Sequence, residues 1–178
     1  MTVLKIGGSL YDLPDLKPRL ERLVATFEVP VLLVPGGGRF ADEIRRLETI
    51  HQWTPEVSHH LALQTMSVGA QLLSSLLQKP VFTTWAEILE GRGIGIVDVA
   101  HLAGLDELPP SWDITSDSIA AWLAVRCEAE RLVLVKSVDA PQPVSDWNTL
   151  AASGLVDAYF PTIAPRMSQV AWVNLRTH

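Results

Sequence analysis

The hydrophobic residues of the chain follow two patterns, continuous apolar runs and apolar residues that recur at helical spacing. Short apolar runs indicate buried strands, and they cover residues 3–6, 31–34, 81–83, 94–99, 131–136 and 170–174. Between them, apolar residues recur at helical spacing and predict helices over residues 15–28, 39–50, 58–78, 116–127, 147–152 and 161–169. Strands that alternate with helices form parallel sheets covered on both faces. The pattern therefore predicts an α/β fold, a three-layer αβα sandwich with a mainly parallel central sheet, in a single domain of 178 residues.

Two of the predicted strands end in consecutive glycines. Residues 5–9 are Lys-Ile-Gly-Gly-Ser, and residues 34–39 are Val-Pro-Gly-Gly-Gly-Arg. Glycine lets the backbone approach a ligand closely, so successive N–H groups can converge on an anion, and the second turn also opens a helix whose N-terminus favours phosphate. Ligands of open α/β sheets bind at the carboxyl ends of the strands, where both turns lie. The turns therefore predict a phosphate site formed by Gly7, Gly8, Ser9, Gly36, Gly37 and Gly38.

Composition and missing motifs exclude several other functions. The formal net charge is −6, with 14 Lys and Arg residues and no basic stripe, which argues against nucleic acid as a partner. The sequence contains neither a Gly-Lys-Ser/Thr phosphate loop nor the Gly-x-Gly-x-x-Gly fingerprint, so a dehydrogenase is a distant alternative. The lone Cys127 rules out an internal disulfide, and no apolar run approaches the ~20 residues that span a bilayer. We therefore expect a cytoplasmic protein that does not bind membranes.

Two later segments contain further candidate residues. Thr115 or Ser116 caps the helix predicted from residue 116, and Asp117 lies in its first turn. Lys136 ends a predicted strand, and Ser137 and Asp139 follow it closely. Taken alone, the first segment is also consistent with a plain helix cap and the second with an ordinary solvated loop.

In this order, the segments resemble the amino-acid kinase family, which includes acetylglutamate, aspartate, uridylate and isopentenyl-phosphate kinases. The resemblance rests on Lys-Ile-Gly-Gly-Ser, Pro-Gly-Gly-Gly-Arg-x-Ala, Thr-Ser-Asp-Ser-Ile-Ala-Ala and Leu-Val-Lys-Ser-Val-Asp, within residues 4–139. It implies an amino-acid-kinase-like fold that is C-terminally shortened. It also implies an acceptor side over about residues 1–110 and a nucleotide side over about 111–178.

A narrower resemblance is to a small branch of that family linked to methanofuran biosynthesis and tetrahydromethanopterin-dependent C1 metabolism. Archaeal members of the branch phosphorylate an aminomethylfuran methyl phosphate. The similar segments are residues 58–63, 112–121, 156–161 and 171–174. The resemblance thus implies an ATP-dependent kinase whose acceptor is a phosphate monoester or a related anionic small molecule.

The resemblance also implies roles for individual residues. Lys5 would offset the charge of the transferring phosphoryl group, and Asp117 would orient Lys5 rather than act as a base. The amides of Gly7, Gly8, Gly37 and Gly38 would surround the β- and γ-phosphates. Mg²⁺ would arrive with ATP and keep most of its waters. The nucleotide would be bordered by Lys136, Ser137, Val138 and Asp139, and the acceptor by Arg39, His60, Asp113, Thr115 and Ser116.

Two departures from the family, the shortened C-terminal part and a missing lysine, leave a second hypothesis open. Many members have a second catalytic lysine in a Gly-Gly-Met-x-x-Lys segment, which this sequence lacks. Arg166 is the nearest later cation and the candidate substitute. The alternative function is a degenerate kinase fold that binds a ligand or a partner subunit without turnover.

Histidines contribute one further prediction and one exclusion. His60 lies early in a long predicted helix and either contacts the acceptor or is simply a helix-end residue. His51, His59, His60 and His101 do not have metal-ligand spacing, so no protein-bound metal site is expected. The family resemblance also allows a homodimer.

Overall fold

The computed structural model describes residues 1–141 and 146–178, and contains one six-stranded parallel sheet. Its strand order is β3-β4-β2-β1-β5-β6. The strands are β1 (Thr2–Ile6), β2 (Val31–Pro35), β3 (Val81–Phe82), β4 (Ile94–Val97), β5 (Arg131–Lys136) and β6 (Val170–Asn174). The α/β prediction is confirmed, and every pair of neighbouring strands is parallel. The sequence pattern also predicts a polar loop over residues 139–146, of which residues 142–145 lie outside the described part of the chain.

Seven α-helices connect and cover these strands in the described part of the chain. They are α1 (Leu16–Val24), α2 (Gly38–His51), α3 (Pro55–Leu77), α4 (Trp85–Glu90), α5 (Ser116–Arg126), α6 (Trp147–Ala152) and α7 (Phe160–Ile163). Short 3-10 turns follow β1, β4 and α7, and one more lies at Leu105–Glu107. None of the helices in residues 1–141 and 146–178 is long and apolar enough to cross a membrane.

Three predicted elements are clearly shorter than the pattern suggested, and one of them is the helix expected over residues 15–28, which ends at Val24. The helix expected over residues 161–169 ends at Ile163, because Pro165 has no N–H to continue it and the chain tightens into a 3-10 turn. The strand expected over residues 94–99 ends at Val97, and a 3-10 turn begins at Val99. All three errors lie at element ends, where local patterns are least informative.

The core is divided by the sheet into two apolar layers. Leu4, Ile6, Val133 and Val135 face the layer that includes α1 and the second half of α3. Val3, Leu132 and Leu134 face the opposite layer, which includes α5 and α7. Successive side chains of a strand point to opposite faces.

This alternation places both strand lysines on the same side of the sheet. Lys5 shares the face of Val3, and Lys136 shares that of Leu134, so both side chains point toward α5. β1 and β5 are neighbours, and Lys5 lies opposite Leu134. Lys136 therefore lies two positions beyond this pair on β5, toward the carboxyl end of the strand. The topology therefore brings together two lysines that are 131 positions apart in the sequence.

Candidate active site

The two glycine turns pack directly against each other at the carboxyl edge of the sheet. A Cβ atom on Gly8 would overlap the backbone nitrogen and Cα of Gly38. Gly38 itself has φ +56°, a conformation that side chains disfavour. A Cβ on Gly36 would lie 2.9 Å from the nitrogen of Gly8. The consecutive glycines are therefore required for the close approach of the two turns.

The glycine amides divide into two groups with different roles. Gly7 donates its N–H to the carbonyl of Val135 at 2.8 Å, and Gly36 donates to the carbonyl of Ile6 at 2.8 Å. These two amides hold the turns to neighbouring strands, so neither Gly7 nor Gly36 has a free N–H for the predicted phosphate site. The amides of Gly8, Gly37 and Gly38 make no such turn or loop bond to a backbone oxygen of the described residues. They lie at the start of a 3-10 turn and of α2, where N–H groups are free to bind an anion.

A buried carboxylate holds the two lysines together beside the turns. The Asp117 side chain lies with one oxygen 2.9 Å from Nζ of Lys5 and the other 2.7 Å from Nζ of Lys136. Lys136 also donates to the carbonyl of Leu155 at 2.9 Å, and its ammonium lies 5.4 Å from the centre of the Trp172 ring. The three charged groups have a net charge of +1 when all are ionised, so the cluster favours an anion.

Burial and mutual attraction set the protonation of this cluster. Burial alone would raise the pKa of Asp117, but the charges of Lys5 and Lys136 outweigh it and keep that pKa below its usual range. Burial lowers the pKa of Lys136 to about 8, and the nearby charge of Lys5 acts in the same direction. At neutral pH, Asp117 is therefore ionised and Lys136 is mostly protonated.

Asp157 anchors the helix that carries Asp117. Its carboxylate accepts the backbone N–H groups of Thr115, Ser118 and Phe160 at 2.8, 3.0 and 3.0 Å. It also accepts the hydroxyls of Thr115 and Ser118. Thr115 occupies the N-cap of α5 but its own side chain caps nothing, so Asp157 caps the helix from a distant part of the chain. Burial raises the pKa of Asp157 despite the Ser118 hydrogen bonds.

We expect Asp157→Asn to lower the free energy of unfolding by about 2–3 kcal/mol, because an amide group would face several buried donors and leave some unsatisfied. Chemical denaturation measures this loss. Asp146→Asn is the matched control, since Asp146 caps α6 from an exposed position and Asn is an equally good cap there. Equal losses in the two variants would show that Asp157 is an ordinary surface cap.

One cavity of about 480 Å³ opens at this edge of the sheet. Lys5 and Lys136 line it, whereas Asp117 is not among its lining residues. The glycine turns form one wall through Gly7, Gly8, Gly36, Gly37 and Gly38. The cavity therefore exposes the two ammonium groups to a ligand and keeps the carboxylate behind them.

The wall formed by α2 and α3 combines a cation with apolar surface. The guanidinium of Arg45 lies 4.4 Å from the centre of the Trp112 ring, and the indole N–H of Trp112 donates to Glu48. Met66 lies on the same cavity, as does His59, whose pKa is lowered by burial and by neighbouring His60. His59 is therefore neutral at pH 7, and Arg45 supplies the positive charge next to Trp112 on this wall.

Arginines also lie at the rim beside the glycine turns. Arg176, from the segment after β6, pairs with Asp12 at 2.6 Å and donates to the carbonyl of Ser9 at 2.9 Å. Arg39 lies 3.7 Å from the other oxygen of Asp12 and is largely exposed. Both arginines line the cavity, so the rim adds positive charge next to the free amides.

The structure brings most of the predicted site residues to this cavity. Those that line it are Lys5, Gly7, Gly8, Ser9, Gly36, Gly37, Gly38, Arg39, Thr115, Ser116 and Lys136. Asp117 lies directly behind them. Ser137 is bonded through its hydroxyl to Ser9 at 2.9 Å, just outside the lining.

Other predicted residues lie elsewhere. The carbonyl of Val138 accepts the indole N–H of Trp172, and Asp139 accepts from Asn174, so both stabilise the end of the sheet. His60 and Asp113 do not line the cavity, whereas their sequence neighbours His59 and Trp112 do. The helix and the turn each face the cavity one residue away from the expected position. Arg166 is exposed and also lies outside the lining, so it is not positioned as a substitute lysine.

Sequence reasoning missed Arg45, Trp112, Asp157 and Arg176. A local signal existed for Arg45, which lies two helical turns after Gly38 on the predicted helix and therefore on the same face. No local signal linked Asp157 to its partners, because Thr115 and Ser118 lie 42 and 39 positions earlier.

The chain is similar in sequence to one curated enzyme. No protein-family profile matches it. It is 26% identical over 144 residues to the [5-(aminomethyl)furan-3-yl]methyl phosphate kinase of Methanocaldococcus jannaschii, a match that covers 78% of this chain and 67% of that enzyme.

Solved structures share the fold at low sequence identity. The uridylate kinase of Archaeoglobus fulgidus matches with a TM-score of 0.68 and 20% identity, over 99% of this chain and 92% of that one. The UMP kinase of Ureaplasma parvum matches with a TM-score of 0.69 and 14% identity, over 98% and 89% of the two chains. An isopentenyl phosphate kinase matches with a TM-score of 0.60 and 15% identity, over 98% and 91%. The sequence match, the shared fold and the four motifs in their expected order all agree with the resemblance to the amino-acid kinase family.

Proposed function

We propose that this protein is a kinase that transfers the γ-phosphoryl group of ATP to a small phosphate monoester. The observation that carries the proposal is the pair of lysines held by Asp117 at a cavity walled by two glycine turns. Phosphoryl transfer depends mainly on positioning and on neutralising charge, and this arrangement supplies both. The similar kinase of Methanocaldococcus jannaschii supports an acceptor of the aminomethylfuran phosphate type.

The nucleotide would bind with its phosphates on the glycine wall. Because Gly8 and Gly38 have no side chains, the two turns pack closely and their free amides lie near each other. The N-terminus of α2 adds a favourable dipole. This cradle fits a phosphate chain. Lys5 would neutralise charge on the group that moves, and Asp117 would keep the lysine oriented without taking up a proton, because its pKa is held low.

Magnesium would be held mainly by the phosphates and by water. Asp12 and Asp42 are the carboxylates on the cavity lining, and they already pair with Arg176 and Arg45 at 2.6 and 3.5 Å. Within the described residues, no group of three acidic, histidine or cysteine side chains is arranged to hold a metal. Mg²⁺ commonly binds in this way, with few protein ligands and several waters.

The acceptor would lie against the wall formed by Arg45, Trp112 and His59. Arg45 would bind the anionic group of the acceptor, while Trp112 and Met66 would contact an apolar or aromatic ring. This assignment agrees with an acceptor side formed by the first part of the chain, to which Trp112 adds from just beyond it.

Calorimetry and a coupled assay of ADP formation test the proposal. We expect magnesium-ATP to bind with a dissociation constant below about 1 mM, in the usual range for such substrates, and ADP to form only when an acceptor is added. Aminomethylfuran phosphate, UMP and isopentenyl phosphate should be compared, and the first should give the highest kcat/KM. Absence of nucleotide binding at millimolar ATP would contradict the kinase hypothesis and favour a non-catalytic binding module.

A further inference from the structure

We propose that Lys136 is the second lysine of the phosphoryl-transfer centre and contacts the transferring group together with Lys5. The inference rests on the proposed kinase function and gives a catalytic role to a residue expected only to border the nucleotide. It also explains how the site can work without the Gly-Gly-Met-x-x-Lys segment that this sequence lacks.

The first argument is the position of the side chain. Lys136 leaves β5 on the α5 side of the sheet, and its ammonium meets Asp117 at 2.7 Å, on the oxygen that Lys5 does not use. Both lysines line the same cavity. An anion in front of Asp117 would therefore meet two ammonium groups held by one carboxylate, a symmetric clamp suited to the three equatorial oxygens of a phosphoryl group.

The second argument is that several contacts hold the Lys136 side chain in a fixed position. A residue that only borders the nucleotide would not need so many contacts. The side chain is only 13% exposed. It is held by Asp117 from α5, by the carbonyl of Leu155 and by the ring of Trp172 from β6. Such preorganisation lowers the cost of stabilising charge in the transition state.

The third argument concerns charge. The charged groups that face Lys136 are Lys5 on β1, Asp117 on α5 and Asp157 before α7, and β6 presents the uncharged Trp172. Lys5 repels the ammonium and Asp117 is shared between the two lysines, so Lys136 lacks a carboxylate of its own. A bound phosphoryl group would supply the missing negative charge.

The electrostatics predict how activity depends on pH. Burial lowers the pKa of Lys136 to about 8 in the free protein, and the lysine is active in its protonated form. The value of kcat/KM, which reports the free enzyme, should therefore fall as the pH rises through about 8. A bound phosphate chain raises the pKa of Lys136, so the fall in kcat should come at higher pH.

Three proteins test this assignment, each checked first by thermal unfolding. Lys136→Met should lower kcat by about 10²–10³-fold, the usual loss for one preorganised charge donor. Lys136→Arg keeps the charge and should recover part of that loss, and its kcat/KM should show no fall between pH 7 and about 10, since arginine does not deprotonate there. Lys17→Met makes the same chemical change at an exposed site and should behave as wild type.

The results differ if Lys136 only positions other groups and does not contact the transferring phosphoryl group. The assignment is wrong if Lys136→Met retains kcat within about threefold, or if Lys136→Arg keeps the fall above pH 8. If Lys136→Met does not fold, the pH profiles of wild type and Lys136→Arg still decide.

A binding measurement separates this inference from the kinase hypothesis. Inorganic tripolyphosphate serves as the probe for the phosphate chain. Between pH 7 and 9.5, wild type should lose roughly tenfold in affinity relative to Lys136→Arg, the effect of removing one charge-assisted contact. If wild type transfers no phosphoryl group but shows this loss, the kinase hypothesis fails, and with it the catalytic role of Lys136, while its contact with the phosphate chain stands. Equal pH dependence in the two proteins would overturn the role of Lys136.

Discussion

Replacing Lys5 with methionine is expected to lower kcat for phosphoryl transfer by about a thousandfold, with much less effect on folding. The lysine is 5% exposed and lies at the carboxyl end of β1, where its ammonium faces the cavity. Removing a preorganised positive charge from a phosphoryl-transfer site typically costs 10³-fold or more. The variant should still fold, because Asp117 keeps Lys136 as a partner at 2.7 Å. Single-turnover kinetics with saturating magnesium-ATP would measure the loss directly.

Lys17→Met is the matched control for this experiment. Lys17 is about half exposed on α1 and pairs weakly with Glu21 at 3.9 Å, so its loss should leave kcat unchanged. Retention of more than a tenth of the wild-type rate in Lys5→Met would show that Lys5 does not touch the reacting group. A loss confined to KM would instead assign Lys5 to ground-state binding.

Gly8→Ala is expected to remove nucleotide binding and to destabilise the protein by about 3 kcal/mol, at the upper end of the usual cost of overpacking. The added methyl group would overlap backbone atoms of Gly38, which cannot rotate away as a side chain would. The preceding Gly7 is bonded to Val135, so the turn itself has little room to shift. If the turns separate, the free amides of Gly8, Gly37 and Gly38 also move apart and no longer bind the phosphates together. Thermal unfolding should show a fall in Tm of roughly 10 °C for a chain of this size.

Gly93→Ala provides the comparison for Gly8. A Cβ on Gly93 meets no described atom within 4 Å, and this loop is remote from the cavity lining. Its Tm and its affinity for magnesium-ATP should match those of wild type. Wild-type nucleotide affinity in Gly8→Ala would mean that the phosphates bind elsewhere than between the two turns.

The sequence was informative wherever a local pattern determines the outcome. Periodicity placed the strands and most helices, because burial of one face imposes a period on the residues that form it. The consecutive glycines at residues 7–8 and 36–38 indicated the phosphate site on the glycine wall, since only glycine permits such close backbone contact. The family resemblance added Lys5 and Asp117, and the structure places their charged atoms 2.9 Å apart.

Only the tertiary structure decided which residues share the site. The family resemblance implied that Lys136 borders the nucleotide. In the structure, the register of β5 against β1 and the packing of α5 on the same face of the sheet bring Lys136 to Asp117. Asp157 lies in a segment of the family resemblance, but no local pattern linked it to α5, which it caps across 42 positions of sequence. His59 and Trp112 replace His60 and Asp113 on the cavity because the rotation of α3 and of the turn before α5 depends on packing against the rest of the protein. A sequence determines elements through local periodicity and backbone freedom, whereas the charges that meet in a site depend on strand order and on how the helices pack across the sheet.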